Sequence, residues 1–119
     1  MSEQNPEPSD HLDEATLNEL EALLEDDFVD LVETFLKDAQ VRYDELAQTV
    51  KSTVAEDIRR AAHSFKGSSL NVGATRLAAL CRELEDHARE GRIVYAKELL
   101  ENIHHEMTVV DTLFRQRYL

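Results

Sequence analysis

The stretch from Arg59 to Gly73 reads RRAAHSFKGSSLNVG, and it decides how the rest of the chain is interpreted. At about 100° per residue, a helix over this stretch centres its apolar face on Phe65 and turns His63 roughly 160° away from it. The pattern therefore predicts a helix that buries Phe65 and holds the imidazole of His63 in solvent. Gly73 follows at the position where helices commonly end in a left-handed residue.

Apolar residues recur every three or four positions on both sides of this stretch, which is typical of amphipathic helices. Both prolines lie in the first ten residues, so little beyond them breaks a helix except the glycines. We predict helices over about residues 12–24, 27–52, 54–72, 74–91 and 93–117. Four long helices with short connections favour an all-α fold, an antiparallel up-and-down four-helix bundle. The short additional N-terminal helix is expected to cover one end.

Length and charge limit the classes of function. The chain has 119 residues, which suits one domain, and we divide it into a flexible tail over residues 1–10 and a bundle over residues 11–119. Its formal net charge of −12 argues against nucleic acid and anionic membranes, because both bind basic surfaces. The sequence has no apolar run long enough to span a membrane, and its first residues lack a signal-peptide pattern. The single cysteine, Cys81, fits a cytoplasmic protein, and a self-sufficient bundle favours a monomer.

Several side chains share the exposed face of the predicted helix with His63. Arg59, Arg60 and Lys66 surround the imidazole, and such a cluster of cations would attract a phosphoryl group or the acidic pocket of a partner. Taken alone, Lys66 would be interpreted as a solvated lysine. Leu70 is an apolar residue on the same open face and suggests a docking surface. We predict that Arg59, Arg60 and Leu70 contact a partner protein.

Gly67 lies one turn after His63, in a helix interior where glycine costs about 1 kcal/mol relative to alanine. A close contact between helices is one explanation for it. However, Gly67 points away from the predicted core. We therefore interpret the missing side chain as a device that leaves flat access to the imidazole.

The other histidines and acidic runs are interpreted as structural or solvated groups. His104 and His105 are adjacent on a helix and point about 100° apart, so they do not form a plausible metal site. His11 falls next to the predicted tail and receives no role. The runs 25–27 and 85–86 are interpreted as helix-end and solvated-face carboxylates. We expect no metal and no cofactor of the chain's own.

The stretch His63–Ser69, followed by Gly73 and Ala74, resembles the signature of the histidine-phosphotransfer (HPt) domain. That signature is a histidine with lysine and glycine three and four positions later, then small residues and a further glycine. Residues 77–91 resemble the helix that follows the signature, and the likeness extends over about residues 12–114. Phe65 stands where leucine is commoner, and Leu70 is bulkier than usual.

The resemblance implies a phosphorelay intermediate in a two-component signalling pathway. His63 would accept a phosphoryl group from the aspartyl phosphate of a receiver domain and pass it to another receiver. Lys66 would stabilise the phosphoryl oxygens, Gly67 would leave space for the receiver, and the receiver would supply Mg²⁺. Such a transfer needs positioning and charge stabilisation more than covalent machinery. An imidazole with a pKa near its ordinary value of about 6.5 is a competent nucleophile.

Nothing in the sequence indicates ATP chemistry. It has no glycine-rich phosphate loop and no nucleotide-binding fingerprint, so we expect a relay protein rather than an enzyme. We also expect a stand-alone relay module rather than part of a hybrid kinase. The alternative from a different class is a non-catalytic acidic helical adaptor that binds a partner protein through the face around Leu70. Transfer of label from a phosphorylated receiver would separate the two.

Overall fold

The computed structural model describes residues 7–119. Within them the chain forms six helices and no strand, which confirms the all-α prediction. The helices are α1 (Pro8–His11), α2 (Glu14–Leu24), α3 (Asp27–Ser52), α4 (Ala55–Asn71), α5 (Thr75–Arg89) and α6 (Ala96–Tyr118). In this part of the chain, no helix is both long and apolar enough to cross a membrane.

The four long helices pack as a closed bundle. α3 and α5 each pack against both α4 and α6. Short connections over residues 53–54, 72–74 and 90–95 make consecutive helices run in opposite directions. The fold is therefore the predicted antiparallel four-helix bundle.

The core of the bundle is aliphatic with a few aromatic rings. Phe35 and Phe114 pack edge to face, with ring centroids 5.9 Å apart. Full burial of one large apolar side chain stabilises a fold by about 1.5–3 kcal/mol. Cys81 is a fully buried core residue, and burial raises the pKa of its thiol to about 12. The largest fully buried apolar side chains are Phe65, Phe114, Leu17, Leu46, Ile58, Leu77, Leu84 and Ile103.

The chain before α3 closes one end of the bundle, at the turn between α4 and α5. The backbone N–H of Asp13 donates to the carbonyl of Gly73 at 2.8 Å, and the Asp13 carboxylate caps α2. Gly73 has a φ of +71°, as its predicted helix-ending position requires. A Cβ at this position would also lie 3.2 Å from the Asp13 carbonyl oxygen. Glycine is thus needed both for the backbone conformation and for the close approach.

Part of the predicted tail over residues 1–10 is helical, because α1 begins at Pro8. Residues 1–6 lie outside the described part of the chain. The next residues form the single helical turn α1, which packs against α5 and α6. The division of the chain into a flexible tail and one domain stays a prediction.

Candidate functional site

Helix α4 holds His63 on the surface of the bundle. The His63 side chain is 62% exposed, whereas Phe65, two residues later, is completely buried. Ile58, Ala62 and Ser69 are buried on the same face as Phe65. The orientation predicted from the helical pattern is therefore confirmed.

The imidazole of His63 is hydrogen-bonded, on its side facing the bundle, to a carboxylate of the neighbouring helix α5. Glu85 of α5 is 1% exposed, and its Oε2 lies 2.8 Å from His63 Nδ1. An ionised carboxylate can only accept hydrogen bonds, so Nδ1 carries a hydrogen, and in the neutral form of the ring Nε2 is then the nitrogen with the free lone pair. The interpretation of Glu85 as a solvated-face residue was wrong, because α5 turns this carboxylate towards α4.

Two cations, Lys66 and Arg89, also bind the Glu85 carboxylate. Lys66 Nζ lies 2.8 Å from Oε1, and Arg89 donates to Oε2 at 3.0 Å. Burial alone would raise the pKa of Glu85, but hydrogen bonds from Lys66 and His63 lower it below its ordinary value. Glu85 is therefore ionised at neutral pH. Lys66 lies beside His63 as predicted, with its ammonium group bound to Glu85.

We expect Glu85→Gln to destabilise the protein in a pH-dependent way. A lowered folded-state pKa stabilises the fold above the unfolded value of 4.5, and this stability is lost as the pH falls through the folded value. The substitution should cost about 1–3 kcal/mol at pH 7, and the difference from wild type should shrink below pH 4.5. Urea unfolding between pH 7 and pH 3 measures it.

The matched control is Asp86→Asn, since the side chain of Asp86 is 52% exposed. Its exposed ion pairs should contribute less than about 1 kcal/mol. A difference between wild type and Glu85→Gln that stays constant over the whole pH range would contradict the ionised, hydrogen-bonded state of Glu85.

Two of the three cations predicted around His63 are paired with a carboxylate of their own helix. Arg59 donates to both oxygens of Glu56 at 2.8 and 2.7 Å, and Arg60 donates to one of them at 3.0 Å. The hydrogen bond from Arg59, followed by that from Arg60, lowers the pKa of Glu56 to about 2. Both arginines are thus paired with a carboxylate one helical turn away. Their predicted contact with a partner stays a prediction.

The surface beyond His63 on α4 is open. A Cβ on Gly67 would have no described atom within 4 Å beyond its own helix backbone and chain neighbours, so packing does not explain this glycine. Leu70 is 52% exposed, as predicted. A groove between α4 and α5 continues from this surface. It is lined by Lys66, Leu70, Thr75, Ala78, Ala79 and Arg82.

The remaining histidines do not assemble a metal centre in the described structure. Across residues 7–119, no three His, Cys, Asp or Glu side chains are placed to hold a metal ion together. His104 packs against Tyr43 in a tilted arrangement, with ring centroids 5.1 Å apart. His11, which received no role from the sequence, lies 2.7 Å from a buried carboxylate oxygen of Glu106.

The site is thus an exposed imidazole on a helical bundle, with one nitrogen bound to a buried carboxylate. Such an imidazole is suited to carrying a transferable group, as in proteins that transfer groups through histidine. Comparisons with known proteins give the family. The model of the Hpt domain matches residues 30–113. The structure is similar to the crystal structure of histidine-containing phosphotransfer protein B (HptB) from Pseudomonas aeruginosa PAO1, with 39% identity, 91% of this chain and 94% of that chain covered, and a TM-score of 0.88. No curated protein matches the chain.

This chain belongs to the Hpt domain family. The resemblance identified from the sequence is therefore confirmed, and with it a histidine-phosphotransfer role in a phosphorelay. Proteins of this family interact with receiver domains. The roles of individual residues in this chain are argued below.

Proposed function

We propose that His63 is the phosphorylated residue, which accepts a phosphoryl group from the aspartyl phosphate of one receiver domain and passes it to another. One observation carries the proposal. The imidazole is 62% exposed, yet its Nδ1 is fixed by a carboxylate that is itself buried. The outer edge of the ring is accessible while its orientation is set from inside the bundle.

The hydrogen bond to Glu85 selects the nitrogen that reacts. With Nδ1–H donated to the carboxylate, Nε2 of His63 attacks the phosphorus atom. The P–Nε2 bond forms as the P–O bond to the receiver's aspartate breaks, and that aspartate leaves as a carboxylate. The imidazole ring becomes positively charged, and Glu85 stabilises this charge through the Nδ1 hydrogen. The reverse sequence returns the phosphoryl group to a receiver.

Lys66 is the cation we assign to the phosphoryl oxygens. The Lys66 ammonium group is bound to the carboxylate of Glu85, which also binds His63, and the Lys66 side chain is 22% exposed. A lysine is a point charge on a flexible stem, so it can turn from the carboxylate to a new anion beside it. Arg89 donates to the same carboxylate and keeps Glu85 paired when Lys66 turns away.

The open surface around Gly67 and Leu70 is where we place the docked receiver. The receiver brings its own acidic pocket and Mg²⁺, so no metal ligands of this chain are required. Arg59 and Arg60, already paired with Glu56, would contact the receiver at the edge of this surface. We further propose that the protein relays phosphate without ATP chemistry, as a monomer in the cytoplasm.

Transfer of label from a phosphorylated receiver tests the proposal. When the protein is mixed with a phosphorylated receiver, we expect it to become labelled with the phosphoryl group. The label should be acid-labile and alkali-stable, as phosphohistidine is. The label should pass to a second, unphosphorylated receiver when that is added. Binding of receivers without any covalent label would instead support the non-catalytic adaptor.

A further inference from the structure

A second buried carboxylate lies under a second histidine, away from His63. Glu106 of α6 is 1% exposed, and its Oε2 lies 2.7 Å from His11 Nδ1. The side chain of His11 is only 15% exposed, and Arg76 Nε lies 3.5 Å from the other carboxylate oxygen. Removal of His11 would leave the buried Glu106 carboxylate with only its longer contact to Arg76, so the pair holds its two chain segments together.

The His11–Glu106 pair fixes residues 7–13, which we call the N-terminal segment. Leu12 of this segment is 2% exposed, and the Asp13 N–H donates to the Gly73 carbonyl. Helix α1, within the segment, packs against both α5 and α6. The N-terminal segment therefore crosses the end of the α4–α5 hairpin as part of the folded bundle.

Thr75 joins the N-terminal segment to the groove beside the proposed phosphorylation site. Its hydroxyl donates to the His11 carbonyl in a long hydrogen bond of 3.5 Å. The same residue lines the α4–α5 groove together with Lys66 and Leu70. The groove thus extends from Lys66, which shares the Glu85 carboxylate with His63, to Thr75, which contacts the N-terminal segment.

The usual size of a protein interface indicates how far a partner docked on His63 would reach. A standard interface buries about 800 Å² on each protein, which corresponds to a disc with a radius of about 16 Å. Leu70 follows His63 by seven residues, or about 10.5 Å along the helix axis. A receiver centred on His63 therefore covers Leu70 and reaches Thr75, the first residue of α5.

We infer that the His11–Glu106 pair fixes the N-terminal segment as a rim of the receiver-docking surface, where it contributes to the choice of receiver. This inference rests on the proposed function. The partner is a receiver domain whose acidic phosphoryl pocket faces Lys66 and Arg82 and whose periphery lies over the segment. The charge complementarity of the groove and its continuity with the His63 site support this occupant.

Two variants test whether attachment of the N-terminal segment, rather than the charge of the His11–Glu106 pair, affects transfer. His11→Ala should release the N-terminal segment, seen as faster hydrogen exchange of the amides of Leu12 and Asp13. With a cognate receiver it should raise the KM for transfer about fivefold at unchanged kcat, because peripheral contacts contribute modestly to binding. The double variant His11→Leu/Glu106→Met replaces the pair with apolar contact, so it should keep the segment attached and transfer with the wild-type KM.

Phosphoramidate is a small phosphodonor that needs no docking surface. Labelling with it shows whether a loss of transfer comes from impaired receiver docking or from His63 itself. It should label His63 equally in wild type and both variants, releasing ammonia as the P–N bond breaks. Failure to label His63 in wild type would count against the proposed function itself. Slow hydrogen exchange in His11→Ala, or a released segment with a wild-type KM for every receiver, would overturn the inference.

Discussion

We expect the His63→Gln protein to take no label from a phosphorylated receiver while keeping the wild-type fold. The loss should exceed about 1,000-fold, since the substitution removes the nucleophile itself. The side chain is 62% exposed, so the substitution should change the free energy of unfolding by about 1 kcal/mol or less. A glutamine amide can also still donate to Glu85. Label transfer and urea unfolding on the same preparation measure both effects.

The matched control for this substitution is His105→Gln, which changes an exposed histidine of α6. We expect it to accept label at the wild-type rate. Wild-type labelling of His63→Gln would contradict the proposal, because the phosphoryl group would then reside on another residue. Loss of labelling in His105→Gln as well would show that the assay responds to something other than the proposed site.

The second large effect is expected from Gly67→Leu. A leucine one turn after His63 would stand on the surface where the receiver must approach, so transfer should fall by more than about 100-fold. The fold should persist, because a Cβ at this position meets no described atom within 4 Å outside its own helix and chain neighbours. Stopped-flow or quenched transfer from a receiver measures the rate, and phosphoramidate labelling measures the intrinsic reactivity of His63.

Gly67→Ala is the control for the helix itself. It adds one methyl group and should stabilise the protein by about 1 kcal/mol, because glycine is unfavourable in a helix interior. Its transfer rate should stay within a few fold of wild type. Full transfer from receivers in Gly67→Leu would contradict the access argument, and equal losses with receiver and phosphoramidate would indicate damage to His63 rather than a blocked docking surface.

The bundle could be predicted from sequence because its signal is local. The apolar spacing of α3 gave both of its ends correctly, Asp27 and Ser52. The start of α6 was predicted less accurately: the helix begins at Ala96, whereas the pattern predicted Ile93. Tyr95 precedes that helix and makes no side-chain capping hydrogen bond, so the sequence carries no cap signal at that point.

The candidate site was only half predictable, for a related reason. The exposure of His63 follows from the pattern of one helix, whereas its contact with Glu85 joins residues 22 positions apart on two helices. A signal was nevertheless present. Glu85 lies four residues after Cys81 and three before Ala88, within the apolar stripe of α5. Carboxylates at such positions are buried and must find partners, and this spacing distinguishes them from solvated acids.

The same spacing marks the second buried carboxylate. Glu106 lies three residues after Ile103 and four before Val110, both buried on α6. Its partner His11 comes from the other end of the chain, 95 positions away, so no local pattern connects the two. Acidic residues inside an apolar stripe are therefore the positions where this sequence indicated a polar contact without naming the partner.

The most direct test is to identify the nitrogen that carries the phosphoryl group. Protein with ¹⁵N-labelled histidines, phosphorylated by a receiver, can be examined by ¹H–¹⁵N correlation NMR of the imidazole rings. The hydrogen bond from Nδ1 to Glu85 predicts a single product, with phosphorus on Nε2 of His63. Phosphorylation of Nδ1, or of any other residue, would contradict the account.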